Sequence, residues 1–497
     1  MARVYQSGSL NTTSLVVPNL YVQVVQPQTL SLNGASSSRI GIVGTAGWGP
    51  VNSPVAVGSM ANCLSQFGTK QSNAFDIGTA VNIAIVQGAN DFRVVRVTDG
   101  SDVHATATVD GVTLTARYSG SAGNGISITI MSAQNGGYTL SVVHAVLGGG
   151  LYSGSTWEAL RDAVAADAGA LIAVTLPQTV PALGVGAVSL TGGSDGDVPS
   201  SEAFIGSAAG SGTGLYALQA QSCALAFIHG LTDSATWTTQ AAFGLQNGVY
   251  MLCTGPSGDT ITNATARKAT AGLDSYAVKL LHGDWLWWLD DTNGMMLVSP
   301  QAFVGGCLAS LTPAQSSLNK QIYGILGSQK AGLSSGSVTI AYSDAELGAL
   351  IDAGIDVVCN PAPGGVYWSA RSGHNSSTTS VMWGDNYTRL TNFLADSFSA
   401  GLGAYVGRLI NQSLFFDIRS SILGLLSSLL GQGILGSVDG SLPYAVVCDS
   451  SNNTLARTAL GYVQCDIQVQ YQGINEKFIV NLQGGTSVQI ATASGSV

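Results

Sequence analysis

Along this chain the apolar positions fall first into an alternation of strand-like runs and helical stripes. "SRIGIVGTAGWGP" is an apolar run closed by Gly and Pro, "FDIGTAVNIAIVQGAN" carries its apolar residues at helical spacing, and "FRVVRV" is strand-like again. That order predicts a βαβ unit. From about 101 to 198 the texture changes to short period-two runs and glycine turns: "VHATATVDGVTLTARYSG", "ISITIMS", "YTLSVVH" and "SLTGGSDGD", with one helix expected near "TWEALRDAVAAD". Strand and helix then alternate once more through "SCALAFIHG", "GVYMLCTGPSG", "TARKATAGLDSYAVKLL" and "DWLWWLDD". The expected fold class is therefore mixed α/β. Residues 31–100 and 199–345 make one α/β middle domain around a β-rich insertion at 101–198.

The last third reads differently. Ile418, Ile422, Leu425, Leu426, Leu429 and Leu430 form one stripe of an amphipathic helix. The uncharged stretch around it, "SSILGLLSSLLGQGILGSV", is broken by serines, glycines and Gln432, so a packed helix is expected rather than a membrane span. Val463, Cys465, Ile467, Val469 and Tyr471 alternate with polar residues, as in a half-buried strand. Phe478, Val480 and Leu482 alternate in the same way, and beyond Gly484 and Gly485 so do Val488 and Ile490. A terminal strand exposes a row of unpaired backbone groups, which proteins usually cover, charge or break. This one has no such protection. It reads either as a frayed tail or as a strand kept for another molecule.

Composition supports the second reading. Only 9% of the 497 residues are charged and 45% are hydrophobic, so a bare surface this poor in charge is expected to be covered by subunit contacts. The formal charge is −10 and the 18 basic residues are scattered, which argues against a nucleic-acid partner. "MARVYQSGSLNTTS" has no apolar signal-peptide core, so a cytosolic site of synthesis is expected. The seven cysteines, at 63, 223, 253, 307, 359, 448 and 465, show no CxxC and read as small buried hydrophobes without a disulfide.

No catalytic constellation emerges. Gly332, Ser334 and Gly336 satisfy G-x-S-x-G, but the β-like "VTIAY" follows where a nucleophile elbow needs a helix. "GLGAYVG" misses the dinucleotide spacing, and no Gly-Lys pair exists to make a P-loop. "DDTNG" resembles the start of a calcium loop without its distal glutamate. His104, His144, His229, His282 and His374 have no metal-ligand spacing. Trp285, Trp287 and Trp288 read as aromatic filler rather than a stacking site. No cofactor, metal or catalytic residue is expected.

Several segments in order resemble the contractile-tail sheath proteins of tailed bacteriophages. The opening "IVGTAGWGPVNSPVAVGSMANCLSQFG" is similar to that family's start, and "QGANDFRVVRV", "SAGNGISI" and "LTGGSDG" to its next landmarks. "PQAFVGGCLASLTPAQSSLNKQIYGI", "ELGALIDAGIDVVCNPAPGG", "SARSGHNSSTT", "NYTRLTNFLADSF" and "GYVQCDIQVQYQGINEKFIVNLQGG" look like its later half. The likeness weakens across 101–200 and 232–280. Many relatives have a longer, more charged central region than this short, glycine-rich one.

The resemblance implies a structural subunit, not an enzyme, in stacked hexameric rings around a tail tube. Its partners would be the tube protein, the baseplate and the tail terminator, with no nucleic acid and no membrane insertion. Its place would be the virion tail, assembled in the host cytoplasm. A sheath of a related injection device shares the fold, and an α/β hydrolase or oxidoreductase is the remote alternative. The resemblance also implies a C-terminal core domain at 346–483 and strand-exchanging arms at 1–30 and 484–497. The exchanging positions would be Leu20, Tyr21, Val22 and Val24 at one end, and Phe478, Val480, Leu482, Gly484, Gly485, Val488 and Ile490 at the other. Fourteen extended residues from Gly484 onward would reach roughly 46 Å at about 3.3 Å each, enough to cross to a neighbour. Arg389, Arg408 and Arg419 are the basic residues expected to face the tube.

Overall fold

A strand that is apolar at every position must be covered on both faces, and several such strands set the centre of this molecule. The computed structural model describes residues 4–7, 21–24, 34–133, 136–333 and 342–482. At the amino end β1 (Val4–Ser7) and β2 (Tyr21–Val24) pair in parallel. β3 (Ile40–Gly44), β4 (Pro54–Val57), α1 (Met60–Phe67), α2 (Ile77–Val86) and β5 (Phe92–Arg96) follow. α2 starts at Asp76, whose carboxylate accepts from the Thr79 amide at 2.7 Å, satisfying one orphan donor of the first turn.

The next stretch folds on its own core. β6 (Thr106–Val109) and β7 (Val112–Ala116) turn at Asp110-Gly111, both at positive φ, the geometry that matches hairpin twist. β8 (Ser127–Ser132), β9 (Tyr138–His144), β10 (Gly148–Gly154), α3 (Trp157–Ala166), β11 (Ile172–Thr175) and β12 (Gly186–Ser189) complete it. The strands form two antiparallel sheets, β10-β9-β8-β12 and β11-β7-β6. Trp157, Leu160 and Val164 of α3 pack with Leu114, Ile128 and Leu140 between them. Trp48 joins this cluster from outside, and buried Arg96 donates to the Gly49 and Ser119 carbonyls at 2.8 and 2.9 Å, anchoring the insertion.

The chain then returns to the first sheet. α4 (Ser201–Ile205), β13 (Leu225–Ile228), α5 (Trp237–Asn247), β14 (Tyr250–Thr254), α6 (Ile261–Ala271) and β15 (Val278–Leu281) give a six-stranded order β15-β14-β13-β3-β5-β4. Only β4 runs antiparallel. A side sheet of β16 (Leu286–Asp290), β17 (Gly294–Val298), β18 (Gly327–Ser328) and β19 (Gly332–Leu333) flanks α7 (Gln301–Ser310). Trp285 and Trp288 are buried there, and Trp288 meets Phe303 edge-on at 5.8 Å. Ile40, Ile42, Phe227 and Leu252 face α2 and α7 on one side. Val43, Ala226, Ile228 and Met251 face α5 on the other.

α8 (Asp344–Asp352) opens with a capping box between Ser343 and Glu346, and its Leu347 and Leu350 join that second layer. The boundary drawn between 345 and 346 therefore falls inside a helix of the α/β unit. β20 (Val358–Cys359) and β21 (Ser369–Ala370) pair just beyond, with Asp356 bridged in parallel to Leu281.

The last unit holds α9 (Asp385–Leu402), α10 (Gln412–Gly431), β22 (Tyr444–Val447), α11 (Leu455–Thr458) and β23 (Asp466–Val469). α10 is long and apolar enough to cross a membrane by composition, yet its stripe of Ile418, Ile422, Leu425, Leu426 and Leu429 is buried with Leu390, Leu394 and Val446. The fold class is the mixed α/β class read from the sequence.

Candidate assembly interface

β22 and β23 pair antiparallel from Tyr444↔Val469 to Val447↔Asp466, and no third strand joins them among the described residues. The alternation from Val463 to Tyr471 thus yields only four paired residues. The inward side chains do what the alternation predicts: Cys465, Ile467, Val469 and Tyr471 lie against the apolar cluster of α9 and α10. A two-stranded sheet is too narrow to roof two helices. Between β23 and α9 an open groove of about 780 Å³ remains, walled by Ile467, Val469 and Tyr471 on one side and by Tyr387, Leu394 and Phe398 on the other. Thr391 Oγ1 and the Tyr471 hydroxyl meet at 3.0 Å at its end, and Tyr387 meets Tyr471 edge-on at 5.9 Å.

The chain leaving β23 crosses back over the body. Asn386 Nδ2 donates to the Gln472 carbonyl at 3.1 Å, and His374 Nε2 lies 2.9 Å from Glu476 Oε1, with the His374 ring stacked on Trp383 at 4.4 Å. Past that tether none of the described residues covers the segment up to Leu482. Phe478, Ile479, Val480 and Leu482 are 83, 80, 69 and 90% exposed, and residues 470–482 form no strand. The strand expected at Phe478, Val480 and Leu482 does not form among the described residues, because a strand needs a partner ladder and none of them pairs with this segment. Leu20, Gly484, Gly485, Val488 and Ile490 lie outside the described residues; Tyr21, Val22 and Val24 lie in β2.

α9 is fixed to the α/β unit by a buried polar junction that the sequence reading missed. Lys279 of β15 reaches Asp356 at 2.7 Å and Asp385, the first residue of α9, at 3.0 Å, all three side chains fully buried. Asp385 also accepts from the Tyr250 hydroxyl at 2.6 Å and the Ser317 amide at 3.0 Å. Asp356 accepts from the amides of Ser372 and Gly373. Burial alone would lower the Lys279 pKa, but the two carboxylates reverse it and the net shift is upward. Burial likewise opposes ionisation of Asp356, and Lys279 with the surrounding donors holds it below the usual carboxylate range. Burial, with Asp385 beside it, pushes Tyr250 well up. Asp356 lies in "AGIDVV", Ser372 and Gly373 in "SARSGHNSSTT", and Asp385 directly before "NYTRL", but nothing local in these segments points to Lys279.

The three arginines expected to face a tube divide. Arg389 is buried and donates to the Leu311 and Thr312 carbonyls, both at 2.8 Å, at the end of α7. Burial lowers its pKa to about 10 despite Asp385 nearby. It holds α9 down and offers no surface. Arg408 and Arg419 are exposed, Arg408 lying over the Tyr405 ring at 4.8 Å, and neither makes an ion pair among the described residues.

The place where an α/β enzyme would hold its substrate, outside the carboxyl ends of the strands, carries a cleft of about 760 Å³ lined by Asp259, His282, Asp284, Lys330 and Glu346. Asp284 is occupied by the Tyr342 hydroxyl and the Lys330 amide, both at 2.8 Å. Burial lowers the His282 pKa, and no hydroxyl or thiol donates to its ring among the described residues. Ser334 and Gly336 of the G-x-S-x-G match lie outside the described residues. Among those described, no group of three or more His, Cys, Asp or Glu side chains is placed to hold a metal ion.

No family model matches the chain, and no curated protein matches it either. Its fold is nevertheless found among solved structures. The sheath tail protein of Desulfitobacterium hafniense superposes with a TM-score of 0.60 at 16% identity, over 87% of this chain and 93% of that one. The sheath tail protein of Listeria innocua gives 0.64 at 15% identity, over 85% and 91%. The anti-feeding prophage helical sheath in its contracted state gives 0.57 at 11% identity, over 95% and 99%. The chain has the fold of contractile sheath subunits, and that fold accounts for nearly its whole length.

Proposed function

We propose that this chain is the structural subunit of a contractile sheath, assembling with copies of itself around an inner tube. The observation that carries the reading is the half-built roof over α9: a two-stranded sheet beside an open groove walled by Leu394, Phe398, Ile467 and Val469, on a subunit whose own tail exposes four large apolar side chains within five residues. Pairing a neighbour's arm beside β23 would cover the groove and bury the tail at once. Main-chain hydrogen bonds would supply affinity and alternate side chains would select register. Residues 478–490 of one copy and 20–24 of another are the proposed donors. Stacked hexameric rings, contraction against a baseplate, a terminator at the far end and delivery of the tube through a host envelope follow as the finer reading, in a bacteriophage tail assembled in the host cytoplasm.

A contractile injection device is the second reading, favoured by the near-complete overlap with the anti-feeding prophage sheath. Electron microscopy of purified protein tests the common part. Regular tubes or rings are expected, whereas a monodisperse monomer at high concentration would overturn it. Imaging the native particle separates the two readings by the presence or absence of a DNA-filled head.

A further inference from the structure

The pairing register of β22 and β23 places two of the seven cysteines directly opposite each other. Val447 pairs with Asp466, so the next residues outward are Cys448 and Cys465. Gln470 N donates to Pro443 O at 2.7 Å, which makes 443 and 470 a hydrogen-bonded pair. Counting along the ladder, 445 with 468 and 447 with 466 share that character, and 448 with 465 is a non-hydrogen-bonded pair. At such positions Cα atoms approach to about 4.5 Å, and this falls within the roughly 4.4–6.8 Å that a disulfide spans. Both side chains point to the same face, since Cys448 follows Val446 and Cys465 precedes Ile467 in one apolar cluster.

The neighbouring loop holds this geometry. Buried Asn453 donates to the Gln464 carbonyl at 2.9 Å and accepts from the Gln464 amide at 2.6 Å, pinning the residue beside Cys465. We propose that Cys448 and Cys465 are an intramolecular disulfide site, closed by a disulfide oxidant such as glutathione disulfide once the subunit leaves a reducing compartment. One cysteine thiolate attacks the oxidant, releasing one glutathione, and the resulting mixed disulfide is displaced by the second cysteine, releasing another. The Sγ–Sγ bond forms as the oxidant's own S–S bond breaks, and the two thiol protons end on the two glutathione molecules. Burial raises the pKa of both thiols; the hydrogen bond from Cys465 works against the rise at Cys448, while the Cys448 thiol adds to it at Cys465, which is pushed up to about 12. Closure is therefore slow at neutral pH and faster in mildly alkaline buffer, where more of the thiolate is present.

This departs from the expectation that the cysteines are only apolar filler. The bond itself does not depend on the sheath reading, so the test uses the unassembled subunit. Trypsin cuts after Arg457, between the two cysteines, giving peptides 420–457 and 458–477. After incubation of the folded subunit with glutathione disulfide, those peptides are expected to stay linked in a non-reducing digest and to separate on reduction. The melting temperature should rise on oxidation in wild type and not in Cys465→Ser. Seven free thiols after incubation, glutathione adducts without the linked peptides, or a bond to a different cysteine would each overturn the site.

Discussion

The six-stranded sheet has helices on both faces, whereas β22 and β23 have them on one, with a groove where the next strand would lie. Strands such as "LAFI" in β13 are buried at every position within the chain's own fold. "FIVNL" at 478–482 is as apolar in its alternate positions and is exposed almost throughout. The contrast separates two uses of the same chemistry. Apolar strands with a partner in the same chain give stability, and the proposal is that an apolar run without one is held for assembly.

Truncation tests that contrast most sharply. Deleting residues 478–497 is expected to abolish ordered polymers while leaving the melting temperature of the subunit unchanged, because no described part of that segment packs on the core. Sedimentation and negative-stain imaging read the first effect and calorimetry the second. Regular sheaths from the truncated protein would show that the tail is a frayed end.

Lys279→Met should do the reverse. Removing the cation leaves Asp356 and Asp385 buried without it, a loss of about 3–5 kcal/mol for a broken buried pair. The variant is expected to unfold at lower denaturant, and assembly should fail only in proportion to the unfolded fraction. An unchanged midpoint would remove the junction from the account of how α9 is held.

The pH dependence sharpens the same point. Asp356 is held below its usual range, so its contribution is present above about pH 4 and is lost as pH falls through the lower folded value. Lys279 is raised, so its contribution is full below about pH 10.5 and is lost as pH rises through the higher folded value. The junction should add no pH dependence between those limits, and in Lys279→Met the acid decline should begin at higher pH. Identical acid limbs for the two proteins would show that the junction does not set acid stability.

Local pattern made much of the fold legible. The runs around Ile42, Phe227 and Met251 read as buried strands, and the stripe from Ile418 to Leu429 as a packed helix, because burial and period are recorded residue by residue. Relations between distant residues were not legible. Arg389 looks like a surface cation on an amphipathic helix, yet the carbonyls that bury it come from Leu311 and Thr312. Lys279, Asp356 and Asp385 meet across more than a hundred residues of chain, and Cys448 meets Cys465 only through a strand register. Residues 478–482 carry a strand's alternation, but the alternation does not say whose backbone completes the ladder.

The smallest expected effects lie on the exposed arginines, where the comparison becomes one between a buried and a surface charge on the same unit. Arg389→Glu should unfold the subunit, since it places a carboxylate among carbonyls. Arg408→Glu and Arg419→Glu should leave folding intact, because both side chains are exposed and neither has an ion-pair partner among the described residues. A surface charge contact is worth about 0–1 kcal/mol, too little to hold one subunit on a tube. Repetition around rings and along a sheath would add such contacts into a firm yet reversible grip. Asp449 is held below the carboxylate range mainly by Ser451 and in small part by Arg419, so some of the Arg419 charge is already engaged within the subunit. Arg408→Glu is therefore expected to reduce coverage of a purified tube more than Arg419→Glu, with tube-free polymers still forming in both. Wild-type coverage by both variants would eliminate this face as the tube contact.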